Sequence, residues 1–236
     1  MMKKRNWILA AFLLSTSMVA LAQKSAEEPK GKAIVQVFGN FHSGFGHAND
    51  DRGFELDRSY LGYQYDLGHG LEVKGVMDIG QSDDVNDFHR IAYIKNAQIS
   101  WKTGKWTLIG GLISNTQFNV QEKFWGYRYV MKSFQDLYKF GNSADLGVSV
   151  AYKFTNWISA DAIVVNGEGY KKVQKNDGLM YGLGTILTPA EGITMRVYYG
   201  LNEGADEMKK DVQNLATFIG LKLDWFSLGA EYNWMW

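Results

Sequence analysis

Cysteine is absent from this chain, which excludes disulfide frameworks, thiolate metal sites and thiol nucleophiles together. Proline is nearly absent, at 2 of 236 residues. Charge of one sign is absent too: 25 Lys and Arg balance 25 Asp and Glu, so there is no electrostatic footprint for nucleic acid. Beyond residue 22 no apolar run approaches the ~20 residues that a membrane-spanning helix needs. What the chain does hold is 26 Gly, 8 Trp, 13 Tyr and 13 Phe. Many glycines and aromatics with almost no proline suit a large β-sheet rather than a helical bundle.

The first residues, "MMKKRNWILAAFLLSTSMVALAQ", set a basic start (Lys3, Lys4, Arg5) before a short apolar core and Ala20-Leu21-Ala22. Small residues three and one before Gln23 fit a secretory cleavage site. A retained anchor helix is the other reading, but the run is short and ends in that small-residue box. The expected organisation is a signal peptide over 1–22, a polar lead-in over 23–32 and a β-domain over 33–236.

That domain alternates. "LEVKGVMDIG" sets Leu71, Val73, Gly75, Met77 and Ile79 against Glu72, Lys74 and Asp78. "ADLGVSVAYKF" sets Leu146, Val148, Val150, Tyr152 and Phe154 against Asp145, Ser149 and Lys153. A period of two is a strand with one oily and one wet side. Eleven such segments follow one another, the last being "FSLGAEYNWMW". Short turns near Gly68, Gly104, Asn156, Pro189 and Trp225 alternate with longer polar connections such as "QSDDVNDFHR" and "NGEGYKKVQKND". A soluble sandwich has no reason to sort loop length by end, whereas transmembrane barrels do. The expected fold is therefore all-β, an antiparallel transmembrane β-barrel of the outer-membrane porin type in the bacterial outer membrane. Val73, Val148 and Ile219 should face hydrocarbon, and Ser149 a lumen where arginine would be tolerated.

An eleventh strand would end on the side of the long loops, whereas bacterial barrels have even strand counts with both termini at the periplasm. This favours eleven strands out of a larger barrel in a C-terminally truncated chain. The rival is that Tyr232, Trp234 and Trp236 form a terminal insertion signal and that one strand within 115–142 escapes notice.

Residues 115–142 are far longer than a hairpin loop, and loops of such length are usually functional. Phe124, Tyr127, Val130/Met131, Phe134 and Leu137/Tyr138 recur at helical spacing, predicting one or two short amphipathic helices. Folded inward, this third loop would narrow a channel, with Lys123, Arg128, Lys132 and Lys139 biasing it toward anions. An external loop packed on the rim is the alternative.

The stretches "DDRGFELDRSYLGYQYDL", "AYIKNAQISWK", "FWGYRYVMKSFQD" and "SADLGVSVAYKF" resemble the phosphate-selective porin O/P family of outer-membrane porins, from about residue 31 onward. The resemblance implies a barrel of about sixteen strands or slightly more, a homotrimer, and passive conduction of small anionic solutes. It also implies a longer chain than this one. One departure stands out. Family members line the pore with basic ladders, whereas the inward set here mixes Arg58, Lys74, Lys102, Lys153, Arg196 and Lys222 with Glu72, Asp78, Asp145, Asp161 and Glu231. Phosphate is not singled out.

The sequence offers no nucleophile with a base and no paired acids in a cleft, so no enzyme, cofactor or metal site is expected. His42 and His47 with Asp50 and Asp51 read as solvated loop residues. "DVNDF" at 84–88 lacks the glycine and terminal glutamate of a calcium loop. The partners expected are outer-membrane lipid and small hydrophilic solutes, anionic ones among them. The competing functions are a non-conducting barrel serving as adhesin or surface anchor, and an outer-membrane hydrolase.

Overall fold

The structure is a computed structural model and describes residues 30–48, 52–81, 90–174, 177–204 and 210–236. The signal peptide over 1–22 and most of the 23–32 lead-in lie outside the described residues. The first strand begins at Gly31, two residues before the sequence-based boundary.

Eleven strands form one sheet in strict sequence order, each antiparallel to the next. They are β1 (Gly31–Ser43), β2 (Arg52–Gly68), β3 (Leu71–Gly80), β4 (Ile91–Thr103), β5 (Trp106–Ser114), β6 (Ala144–Lys153), β7 (Ile158–Val165), β8 (Met180–Leu187), β9 (Ile193–Asn202), β10 (Val212–Leu223) and β11 (Phe226–Met235). The five short turns lie where the sequence places them. Residues 115–142 hold no strand; they contain two short helices, α1 (Asn119–Trp125) and α2 (Phe134–Leu137). Among the described residues, β1 pairs only with β2 and β11 only with β10.

The registers show that the sheet is the wall of a barrel. Stepping across the ladder from Trp234, successive partners are Leu215, Tyr199, Leu183, Ala162, Val150, Leu108, Trp101 and Leu71. The path starts eight residues beyond Phe226, the first residue of β11, and ends on the first residue of β3. It thus falls from one end of the wall to the other in eight steps. One residue per strand, at ~3.3 Å rise and ~4.8 Å strand spacing, is a tilt of roughly 35°, which a closing sheet requires.

The two faces differ as the alternation predicts. On the outer face Val73, Ile94, Val148, Leu183 and Ile219 are exposed in the isolated chain. Aromatics gather at both ends of that face. Trp106 packs on Tyr152 at 4.5 Å and Tyr152 on Phe154 at 4.8 Å near the short turns. Phe41 packs on Phe54 at 4.9 Å and Trp234 on Trp236 at 5.3 Å at the opposite end.

The inner face departs from a uniformly wet lumen. Ile113, Ile163, Val165, Met180, Tyr198 and Ala216 form one buried apolar cluster, and Phe38, Tyr60 and Val76 another. Ser149, expected to face open lumen, is 9% exposed, with Ile109 and Ile163 as its ladder partners. An arginine there would have to displace packed side chains, so the expected tolerance is withdrawn.

Candidate functional site

The loop that leaves β5 turns at once onto the inner face. The Asn115 side-chain oxygen accepts the Gln117 backbone N–H at 3.0 Å, an Asx turn that redirects the chain. Phe118 is then buried at 1% exposure. Helix α1 ends at Gly126, whose left-handed φ of 72° lets its N–H bond the Glu122 carbonyl, a common helix terminator.

Helix α1 is anchored on β10 and β11. Phe124 meets Phe218 edge-on at 5.0 Å. Gly220 makes this approach possible, since a Cβ there would lie 2.5 Å from the Phe124 ring. Lys222 Nζ donates to the Phe124 carbonyl at 2.9 Å, and Trp125 Nε1 donates to Glu231 at 3.5 Å. The same helix also interacts with the far side of the sheet: Lys74 on β3 lies within electrostatic reach of Lys123, and Lys95 on β4 within reach of Glu122. In a flat sheet β3 and β10 would stand ~34 Å apart at ~4.8 Å per strand, and a seven-residue helix spans only ~10 Å. The sheet is therefore curled around the loop.

The return path is polar and buried. Gln117 donates to Gln135 at 3.0 Å and to the Phe140 carbonyl at 3.1 Å. Gln117, Gln121 and Gln135 have no exposed surface. Sequence reasoning missed all three, because glutamines carry no periodic apolar signal.

Of the four loop cations, Arg128 is the most constrained. It pairs with Glu122 and, at 2.8 Å, with Asp136. Burial pulls its guanidinium down, but Glu122, Tyr60 and Asp136 outweigh that and leave it raised. Burial pushes the Glu122 carboxyl up by more than Arg128 lowers it. Lys123 is exposed and lines a cavity of about 880 Å³ between α1 and the short-turn end, with Glu191 and Lys222. Lys132 is exposed and borders a second cavity of about 340 Å³. Lys139 is exposed with a φ of 58° just after α2. The predicted helical stripe is not a buried seam. Phe124 is 6% exposed, but Tyr127, Val130, Met131, Phe134, Leu137 and Tyr138 are 45% exposed or more, because the chain between the two helices leaves helical geometry at Gly126.

The wall cations divide likewise. Arg196 is 1% exposed and bonds both oxygens of Asp161 and, at 2.8 Å, the Thr116 carbonyl. Gly184 gives it room, since a Cβ there would lie 2.3 Å from Nη2. Arg58 pairs with Asp78 at 3.1 Å and reaches the Tyr60 hydroxyl at 3.3 Å. The Tyr170 hydroxyl also donates to Asp78, and burial followed by that bond raises it well above the ordinary phenol range. Lys102 and Lys153 are exposed near the short turns, and Lys74 is half-buried.

A further wall cation, Lys95, was not foreseen. It is 8% exposed, donates to the Tyr60 hydroxyl at 3.0 Å and the Ser143 hydroxyl at 3.3 Å, and lies 4.5 Å from the Tyr60 ring. Strict alternation puts it on the outer face with Ala97 and Ile99. A register shift between Val76 and Met77 passes over Lys95 and turns it inward. A lysine at an apolar parity was the available signal for that bulge.

Among the described residues no group of three or more His, Cys, Asp or Glu could hold a metal ion. Asp50, Asp51 and the 84–88 stretch lie outside the described residues.

No family model matches the chain, and no curated protein is similar to it. Among solved structures, it is similar to OmpF of Salmonella typhi, solved in complex with daunomycin, at 12% identity over 86% of this chain and 77% of that one, TM-score 0.39. It is also similar to a loop-L8 deletion mutant of OmpT, an outer membrane protein of Vibrio cholerae, at 10% identity over 87% of this chain and 94% of that one, TM-score 0.28. Neither likeness reaches a TM-score of 0.5, so function has to be argued from the chain's own geometry.

Proposed function

We propose that this chain is an outer-membrane porin that lets small hydrophilic solutes diffuse passively, with loop 115–142 as its constriction. The observation that carries this is the loop itself, anchored on β10 and β11 while its charges reach β3 and β4 inside the curled sheet. The outer face supports it. An apolar band between two aromatic belts meets a bilayer, and the antiparallel pairing that runs unbroken from β1 to β11 satisfies the backbone groups between those strands without a helix.

Three arginines on the inner side are held by carboxylates: Arg58 by Asp78, Arg128 by Glu122 and Asp136, Arg196 by Asp161. Among the described residues, Lys74, Lys95, Lys123 and Lys222 have no such partner within salt-bridge distance. They give a modest preference for anions, to which Lys132 and Lys139 add. In this reading the resemblance to the phosphate-selective porin O/P family extends to a homotrimer and to anionic solutes, without selectivity for phosphate.

Purified chain in a planar bilayer tests the proposal. Stepwise conductance with a chloride-favouring reversal potential supports it, and a silent membrane at saturating protein refutes it. A non-conducting barrel acting as adhesin or anchor is the second reading. It is favoured by the completely buried glutamines, which show how much of the inner face the loop fills, and the silent membrane is its expected result.

A further inference from the structure

We infer that the cavity between the α1 end of the loop and β11 is a binding site for one neutral mono- or disaccharide; this rests on the porin reading. The cavity holds about 340 Å³ and is walled on one side by Trp125, Tyr127 and Phe134, a volume in the small-molecule range. Tyr127 is 59% and Phe134 46% exposed, so both keep apolar surface outside the core, Tyr127 while meeting the Tyr129 ring edge-on at 6.0 Å and Phe134 while packing on Tyr138 at 4.6 Å and Phe140 at 5.8 Å. The charged groups on the cavity are Glu122 and Glu231 against Arg128 and Lys132, a formal charge of zero. Three of these four are already engaged: Arg128 is bracketed by Glu122 and Asp136, and Glu231 holds Trp125 Nε1. An anion entering here would meet two carboxylates, and a cation would meet a guanidinium and an ammonium.

A sugar ring suits both halves of this lining. Its C–H face packs on aromatic rings, whose faces are electron-rich. Its equatorial hydroxyls can donate to the carboxylate lone pairs that the ion pair leaves open and accept from the guanidinium. The anchoring of Trp125 by Phe124, Phe218 and Glu231 fixes one aromatic wall before any solute arrives, which lowers the ordering cost of binding.

The test uses the full chain in a planar bilayer with maltose added to one side. Maltose should block the current in a saturable way. Tyr127→Ala should raise the half-blocking concentration at least about tenfold, a loss of about 1.4 kcal/mol, and Tyr127→Phe should keep the wild-type value because the ring face is retained. Inorganic phosphate at equal concentration should leave the maltose block unchanged. A conducting channel that maltose does not block, an equal half-block in Tyr127→Ala, or competition by phosphate would overturn the inference while leaving the porin reading intact. A silent membrane overturns the porin reading alone. In that case maltose titrated into detergent-solubilised protein by calorimetry decides: heat that saturates and is lost in Tyr127→Ala supports the site, and its absence refutes it.

Discussion

Asp161→Ala should be among the most damaging single changes in this chain, although nothing about the residue's place in the sequence announces it. Arg196 is an inward arginine of the kind that sets pore charge, yet its side chain is fully buried and that of Asp161 is 9% exposed. Removing the carboxylate leaves a desolvated guanidinium with the Thr116 carbonyl at 2.8 Å as its remaining strong acceptor. Breaking a buried pair from one side costs about 3–5 kcal/mol, because the surviving charge is uncompensated. Removing both charges is a different perturbation. Asp161→Ala with Arg196→Met should recover most of the loss, since apolar replacement of a buried pair is often neutral. The assay is urea unfolding of the full chain in detergent micelles, followed by tryptophan fluorescence, with the two single variants and the double variant forming a thermodynamic cycle. A cost below about 1 kcal/mol for Asp161→Ala, on the scale of exposed ion pairs, would refute the reasoning. So would a double variant no more stable than Asp161→Ala alone.

Val148→Arg should cost ~2–4 kcal/mol if it lies near the bilayer midplane, while Gln64→Arg on the inner face, beside Glu72, should fold normally; equal folding yields in lipid vesicles would show that the faces are exchanged. Phe124→Ala removes the aromatic anchor of α1 from Phe218 and should cost about 3–5 kcal/mol of loop docking, read as larger and noisier single-channel conductance; a wild-type conductance trace would count against a docked loop. Burial raises the Glu122 carboxyl more than Arg128 lowers it, so between the ordinary and the raised value the folded chain holds more protons than the unfolded one. Stability should therefore fall as pH climbs through that window and level off above it. Glu122→Gln should flatten the slope, and superimposable Tm-versus-pH curves for the two proteins would contradict the sign.

The outer face was legible almost residue by residue, and the inner face was not, for a physical reason. Lipid-facing positions must all be apolar, so Leu71, Val73, Met77 and Ile79 repeat a constraint that one strand already reveals. Inward positions answer to whatever packs against them. Gly184 is there for the Arg196 guanidinium and Gly220 for the Phe124 ring, and neither reason exists until strands and loop are brought together. The β4 bulge is the intermediate case. Its trace is local, a lysine where alternation demands an apolar residue, but only the pairing of Met77 with Ile94 and Val76 with Asn96 shows that the phase slips there.

The charges show the same limit. Counting inward Arg and Lys against Asp and Glu predicts a mixed lumen, but a count cannot say which charges cancel. At the ~4 Å range of an ion pair a carboxylate neutralises one guanidinium and leaves a lysine a few strands away unaffected. In this fold Asp78, Asp161, Glu122 and Asp136 are all taken up by arginines, whose planar forks favour such pairing over lysine. In the porin reading, the field that a permeating solute meets is therefore set by the lysines left over, offset in part by Glu72 and Glu231, although formal charge over the chain is zero. Replacing Lys74, Lys95, Lys123 and Lys222 by Gln should thus lower the anion-to-cation permeability ratio far more than replacing Arg58, Arg128 and Arg196, and the difference should shrink in high salt as screening shortens the reach of those charges. Equal losses of selectivity from the two sets would mean that the arginines face the solute after all, and that pairing does not govern the pore.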